Sequence, residues 1–272
     1  MEYVAFDDVK IAYDLDDYTD PWADSQVVLL HHGYARNRKF WYPWGPLLSR
    51  DYRCLRMDMR GHGDSTALAA DHTPTLENLC EDTIRLMDAL KIEKIHFVGE
   101  SLAGVIGIWL GAHHPDRLHS AVLLSTPVKV SEQGMADFSA GHASWEAAFD
   151  TLTPVEWARV TMGHRYDLAT TDPAYIEWVL EQNARTPVSS LRKYAQLIGA
   201  LDLSQGIPAV EVPTLLVAGG SKLAPPEQTQ FLRDSIPNAQ MELLSDARHL
   251  VGYSHPEQTA KLCLEFWARL AT

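Results

Sequence analysis

Long apolar runs are missing from this chain, cysteine is scarce, and basic residues are outnumbered. No window approaches the roughly 20 apolar residues that a membrane-spanning helix needs, so none is predicted. The N-terminus, MEYVAFDDVKIAYDLDD, is acidic where a secretory leader would be basic and then apolar, which points to a cytoplasmic protein. The three cysteines, Cys54, Cys80 and Cys263, are scattered and form no CxxC pair. They exclude a disulfide framework and a cysteine zinc site, and read as small buried hydrophobes. Lys and Arg total 23 against 36 Asp and Glu, a formal charge of -13. Such a surface repels phosphate backbones and anionic lipid, so neither nucleic acid nor a membrane is an expected partner.

What is present is an ordinary globular composition: 272 residues, 46% hydrophobic and 22% charged. That length accommodates one large domain, or one domain carrying an insertion. Short apolar or β-branched runs predict strands at Val9 to Leu15, Val27 to Leu30, Arg53 to Met57, Ile95 to Val98 and Ala121 to Leu124. Amphipathic stretches between them predict helices at Phe40 to Ser49, Leu76 to Leu90 and Leu102 to His113. Alternating strands and helices imply a parallel sheet. From Glu132 to Ala200 only helical patterns occur, punctuated by Pro154, Pro173 and Pro187. Strands resume at Thr214 to Ala218 and Met241 to Leu244, each followed by a helix, Pro226 to Ser235 and Pro256 to Ala271. The expected organisation is a core of residues 1–127 and 209–272 interrupted by a helical insertion, 128–208.

The sharpest local signal is Ile95 to Gly104, IHFVGESLAG, an apolar strand running through a tight turn into a helix. Ser101 falls at the bend, where the free amides of the helix N-terminus favour developing negative charge. Ala103 stands at the final glycine of the usual G-x-S-x-G, with Gly104 just beyond. Upstream, the strand VLL ends in His31-His32-Gly33-Tyr34, and the amides of Tyr34 and Leu102 form a natural pair of oxyanion donors. His32 reads as a ring that shapes this loop. Downstream, Ser245 to Leu250 places His249 in a short loop before the last helix. An imidazole there is suited to take a proton from Ser101 and return it to a leaving group.

In HHGY, DMRGHGDS (Asp58 to Ser65), GESLAG and DARH (Asp246 to His249), taken in that order, the chain resembles the α/β-hydrolase superfamily over nearly its whole length. The resemblance implies an α/β fold with an eight-stranded, mostly parallel sheet, helices on both faces, an inserted helical lid and a nucleophile-histidine-acid triad. It is closest to lidded esterases, enol-lactone hydrolases and carbon-carbon bond hydrolases. No metal and no cofactor is expected. Asp58 and Arg60, in the glycine-rich segment, then read as scaffold.

Both positions at which the family usually carries the triad acid lack a carboxylate. The loop after the seventh strand reads Ala218 to Pro226, AGGSKLAPP, and the segment after the sixth reads Leu123 to Val128, LLSTPV. Three residues remain candidates for the third member: Ser221, Ser125 and Asp246. Tyr34, Phe40 and Trp41, with Trp145 and Trp178 of the insertion, are candidates for an apolar substrate pocket. Lys222 is a candidate for binding a substrate carboxylate. The reaction expected is hydrolysis of a small ester, lactone or activated carbonyl compound by Ser101 and His249. Two alternatives stay open: carbon-carbon cleavage, lyase or cofactor-free oxygenase chemistry on the same fold, and a slow or non-catalytic ligand receptor. Beyond the small-molecule substrate, a homodimer also stays open.

Overall fold

The computed structural model describes residues 1–270. Its sheet is built from β1 (Glu2–Ala5), β2 (Lys10–Asp16), β3 (Val27–His31), β4 (Arg53–Met57), β5 (Ile95–Glu100), β6 (Leu118–Leu124), β7 (Thr214–Gly219) and β8 (Ala239–Leu244). Their order across the sheet is β1-β2-β4-β3-β5-β6-β7-β8. The β1–β2 and β2–β4 pairs are antiparallel and all others are parallel. Every residue of β3, β5 and β7 is buried, which explains their unbroken apolar runs: helices cover both faces of the parallel part, so no polar alternation survives. β1 is a short, largely exposed edge strand. It buries too little to leave a hydrophobic pattern, and the sequence reading passes over it.

The helices before the middle of the chain are α1 (Trp44–Leu48), α2 (Leu76–Ala89) and α3 (Leu102–His113). The single helix expected over Phe40 to Ser49 is instead a 3-10 turn, Arg38–Trp41, followed by α1, with Pro43 between them. Proline has no N–H to carry a helical hydrogen bond across that point. Between β6 and β7 lie α4 (Glu132–Ser139), α5 (Trp145–Ala148), α6 (Pro154–Thr161), a 3-10 turn at Met162–His164, α7 (Pro173–Asn183) and α8 (Val188–Gly199), with one isolated β-bridge, Lys129 to Asp202. The prolines act as start signals. Pro154 and Pro173 open α6 and α7, and Thr153 and Glu156 close a reciprocal capping box. The chain ends with α9 (Pro226–Ser235), α10 (Val251–Ser254) and α11 (Pro256–Leu270); the expected helix end at Ala271 lies outside the described residues.

Cys54, Cys80 and Cys263 are free and buried. Among the described residues no helix is long and apolar enough to cross a membrane, and no group of three or more His, Cys, Asp or Glu could hold a metal ion. The glycine-rich segment after β4 is a charged girder. Asp58 accepts from the Arg38 amide at 2.6 Å, the Asp64 amide at 2.8 Å and the Arg38 guanidinium, while Arg60 pairs with Asp82. Met59 N–H donates to His32 Nε2 at 2.9 Å, tying this turn to the end of β3.

Candidate active site

Ser101 links β5 to α3 with φ 58° and ψ -118°, a left-handed conformation that non-glycine residues rarely adopt. The turn is held by the Ser101 amide, which donates to Leu124 O at 2.8 Å, and by the Ser101 carbonyl, which accepts from Gly104 at 2.9 Å. Close backbone approach is what demands the nearby glycines. A Cβ on Gly99 would stand 2.5 Å from Ala103 O, and one on Gly33 2.6 Å from Glu100 O and 3.1 Å from Ser101 Cβ. The methyl of Ala103 is fully buried, so the elbow accepts alanine at its last small position. Tyr34 directly follows the glycine that abuts Ser101. Leu102 opens α3, where its N–H has no acceptor within the helix.

The loop after β8 brings His249 Nε2 to 3.0 Å from Ser101 Oγ, across 148 residues of sequence. His249 Nδ1 lies 2.9 Å from Ser221 Oγ. Ser221 Oγ also accepts the amides of Leu223 and Ala224, each at 3.1 Å. Those two bonds fill both lone pairs of the hydroxyl, so its own hydrogen is left for His249 Nδ1. The neutral imidazole then carries its proton on Nε2 and donates to Ser101 Oγ. The other two candidates are elsewhere. Ser125 is buried at φ 45° with its Oγ unpartnered. Asp246 is exposed and 3.6 Å from His255 Nε2, a turn residue making a local contact. Lys222 points to solvent, and only its carbonyl is engaged, accepting from Ser131 at 2.6 Å.

A cavity beside Ser101 and His249 is lined by Tyr34, Phe138, Trp145 and Leu223. Its volume is small, about 30 Å³. Tyr34 and Trp145 meet edge to face with centroids 5.0 Å apart. Phe40, Trp41 and Trp178 do not line it. Phe40 packs between Trp178 and Tyr253, and Trp41 on Trp44 and Tyr253, so Tyr253 occupies the cavity wall in front of them. His32 is structural, its Nδ1 2.8 Å from Gly33 O.

Arg36, Glu100 and Arg165 also line the cavity, and sequence patterning offers no signal for them, because charged residues read as surface. Burial, with the fields of Arg165 and Arg36, pushes His249 down to about 3. Burial likewise raises Glu100 to about 8, against the Gly252 amide and Arg36. It also lowers Arg165 to about 9, with Arg36 adding repulsion. Burial thus favours the uncharged forms of His249 and Glu100 and works against the charge on Arg165.

A profile of the family described as alpha/beta hydrolase fold matches residues 26–256. The 3-oxoadipate enol-lactonase 1 of Acinetobacter baylyi is 27% identical over 241 residues, 86% of each chain. Among solved structures, a hydrolase from Pseudomonas aeruginosa PA01 superposes with a TM-score of 0.84 at 27% identity, covering 98% of this chain and 97% of that one. The enol-lactonase from Burkholderia xenovorans LB400 gives 0.82 at 25% identity, covering 98% and 100%. The family match spans most of the chain, and the chain belongs to the α/β-hydrolase fold family.

Proposed function

We propose that the chain is a cofactor-independent hydrolase of small esters or lactones in which Ser101 is the nucleophile and His249 the proton carrier. The observation that carries this reading is the 3.0 Å contact between Ser101 Oγ and His249 Nε2 at the carboxyl ends of the central strands. Kinship with an enol-lactonase sets the substrate class. In the first step Ser101 Oγ bonds to the carbonyl carbon, its proton passes to His249 Nε2, and the oxyanion sits between the amides of Tyr34 and Leu102. His249 then hands that proton to the leaving oxygen. Water attacks the acyl-enzyme by the same route in reverse, restoring Ser101.

The base must first change tautomer, because its Nε2 lone pair is free only when the proton sits on Nδ1. Ser221 would then face three donors with two lone pairs, so the competent form is the minor one. This favours slow turnover, and with it a second reading, a hydrolase-like ligand binder. We assign residues 128–208 as a lid. Substrate pockets usually run to about 300–1,000 Å³, so the cavity must open before a substrate enters.

A fluorophosphonate probe and a short-chain aryl ester separate the two readings. Labelling confined to Ser101, with turnover lost in Ser101→Ala, is the expected result. Labelling without turnover favours the binder, and no labelling of the folded protein defeats the nucleophile assignment. The pH profile is a further check. Only neutral His249 accepts a proton, and it stays neutral down to its value of about 3. For a neutral ester, kcat/KM is therefore expected to stay level from pH 7 to about pH 4, where an unperturbed histidine would give a fall centred near 6.5. A fall with that ordinary midpoint would contradict the burial of the base.

A further inference from the structure

We propose that the cavity beside Ser101 is built for an anionic substrate, an ester or lactone bearing a carboxylate that sits between Arg36 and Arg165. The reaction rests on the hydrolase reading above; the binding does not.

Both guanidinium groups are buried, with 1% of Arg36 and 4% of Arg165 exposed. Arg36 Nη1 donates to Ala35 O at 2.8 Å, while its Nε and Nη2 have no partner. Arg165 Nη2 donates to Ala158 O at 3.1 Å and Thr161 Oγ1 at 2.9 Å, and its Nε has none. Aromatic faces complete their surroundings: Phe40 lies 4.8 Å from the Arg36 guanidinium carbon and Trp157 4.8 Å from that of Arg165. Among the described residues neither arginine forms an ion pair with a carboxylate. The other buried arginines differ. Arg38 is paired with Asp14, Asp58 and Asp64, and Arg60 with Asp8 and Asp82.

A buried charge is ordinarily paired, and leaving one without a partner carries a large desolvation cost. Two such cations in one cavity, close enough to repel each other, are explained by a negative charge that arrives from outside. Glu100 does not supply it: among the described residues it is the one carboxyl lining the cavity, and even if ionised it would balance one cation of the two. The unused Nε and Nη2 of Arg36 form a planar fork of the kind that carboxylates satisfy with paired hydrogen bonds, and Arg165 adds its unused Nε. The same pair of cations disfavours a positive His249, so an anion bound between them also helps His249 take a proton. The substrate's charge is therefore expected to raise kcat as well as to lower KM.

The test compares 4-nitrophenyl hydrogen glutarate with 4-nitrophenyl pentanoate, correcting each for uncatalysed hydrolysis. Wild-type protein is expected to prefer the anionic ester by about 30-fold or more in kcat/KM, with glutarate a competitive inhibitor and glutaramide not. Arg36→Met and Arg165→Met are each expected to lower the preference by about 10-fold or more. Should either variant fail to fold, the ester comparison and the inhibition by glutarate in wild-type protein decide alone. Equal turnover of the two esters, with glutarate no better than glutaramide, overturns the proposal and leaves the hydrolase reading standing. If neither ester is turned over while Ser101→Ala still binds glutarate over glutaramide by calorimetry, the hydrolase reading fails and the anion site stands.

Discussion

Replacing Ser221 with aspartate is expected to raise kcat for an activated ester by about 10² to 10⁴. The upper bound is the loss, about 10⁴, seen when a serine-protease triad aspartate becomes asparagine and the histidine takes the wrong tautomer. Here the starting protein is in the unfavourable state, because Ser221 donates to His249 Nδ1 while accepting from Leu223 and Ala224. A carboxylate only accepts. It would take both amides and the Nδ1 proton together, leaving Nε2 unprotonated toward Ser101, and would stabilise the imidazolium that forms as Ser101 attacks. The loop already presents two N–H donors at this point, so the aspartate would enter a site that favours negative charge. Ser221→Asn, which cannot supply the charge, is the control and should give little gain. A folded Ser221→Asp protein that is no faster than the parent would remove tautomer control from the account.

Asp58→Ala is expected to lower the unfolding free energy by about 3 kcal/mol, near the low end of what breaking a buried ion pair costs. Asp58 is fully buried and accepts two amides as well as the Arg38 guanidinium. Its removal strands those donors together. The loss stays near the low end because Arg38 keeps Asp14 and Asp64 as partners. Urea unfolding should show a lower midpoint at unchanged slope. A change below about 1 kcal/mol would mean that the girder after β4 is dispensable.

Sequence reading reaches the elbow and its base because both depend on local patterns: a buried strand, a turn of small residues, a helix start, and a histidine in a loop between the last strand and the last helix. Ser221 is harder. Ser221 and Ser125 stand in the two loops where the family usually carries the acid, so position alone does not choose between them, and only the path of the loop after β7 puts Ser221 Oγ against the imidazole. The aromatic pocket is legible only in part. Tyr34 and Trp145 reach the cavity, whereas Phe40 and Trp41 are held one layer back by Tyr253, whose side chain no pattern distinguishes. Arg36 and Arg165 are the extreme case, since the patterns that reveal a core are apolar and these two are inside it.

The contact between Ser101 and His249 also fixes when activity can first arise. The nucleophile, its turn and the strand beneath it lie in the first half of the chain. The imidazole arrives only after the excursion between β6 and β7 has closed and β7 and β8 have added to the sheet's edge. Contacts so far apart in sequence carry a larger loop-closure cost than local ones. Ester turnover during refolding therefore times the docking of the final fifth of the polypeptide, from β7 onward, and an N-terminal fragment emerging from the ribosome carries a serine with no base to serve it.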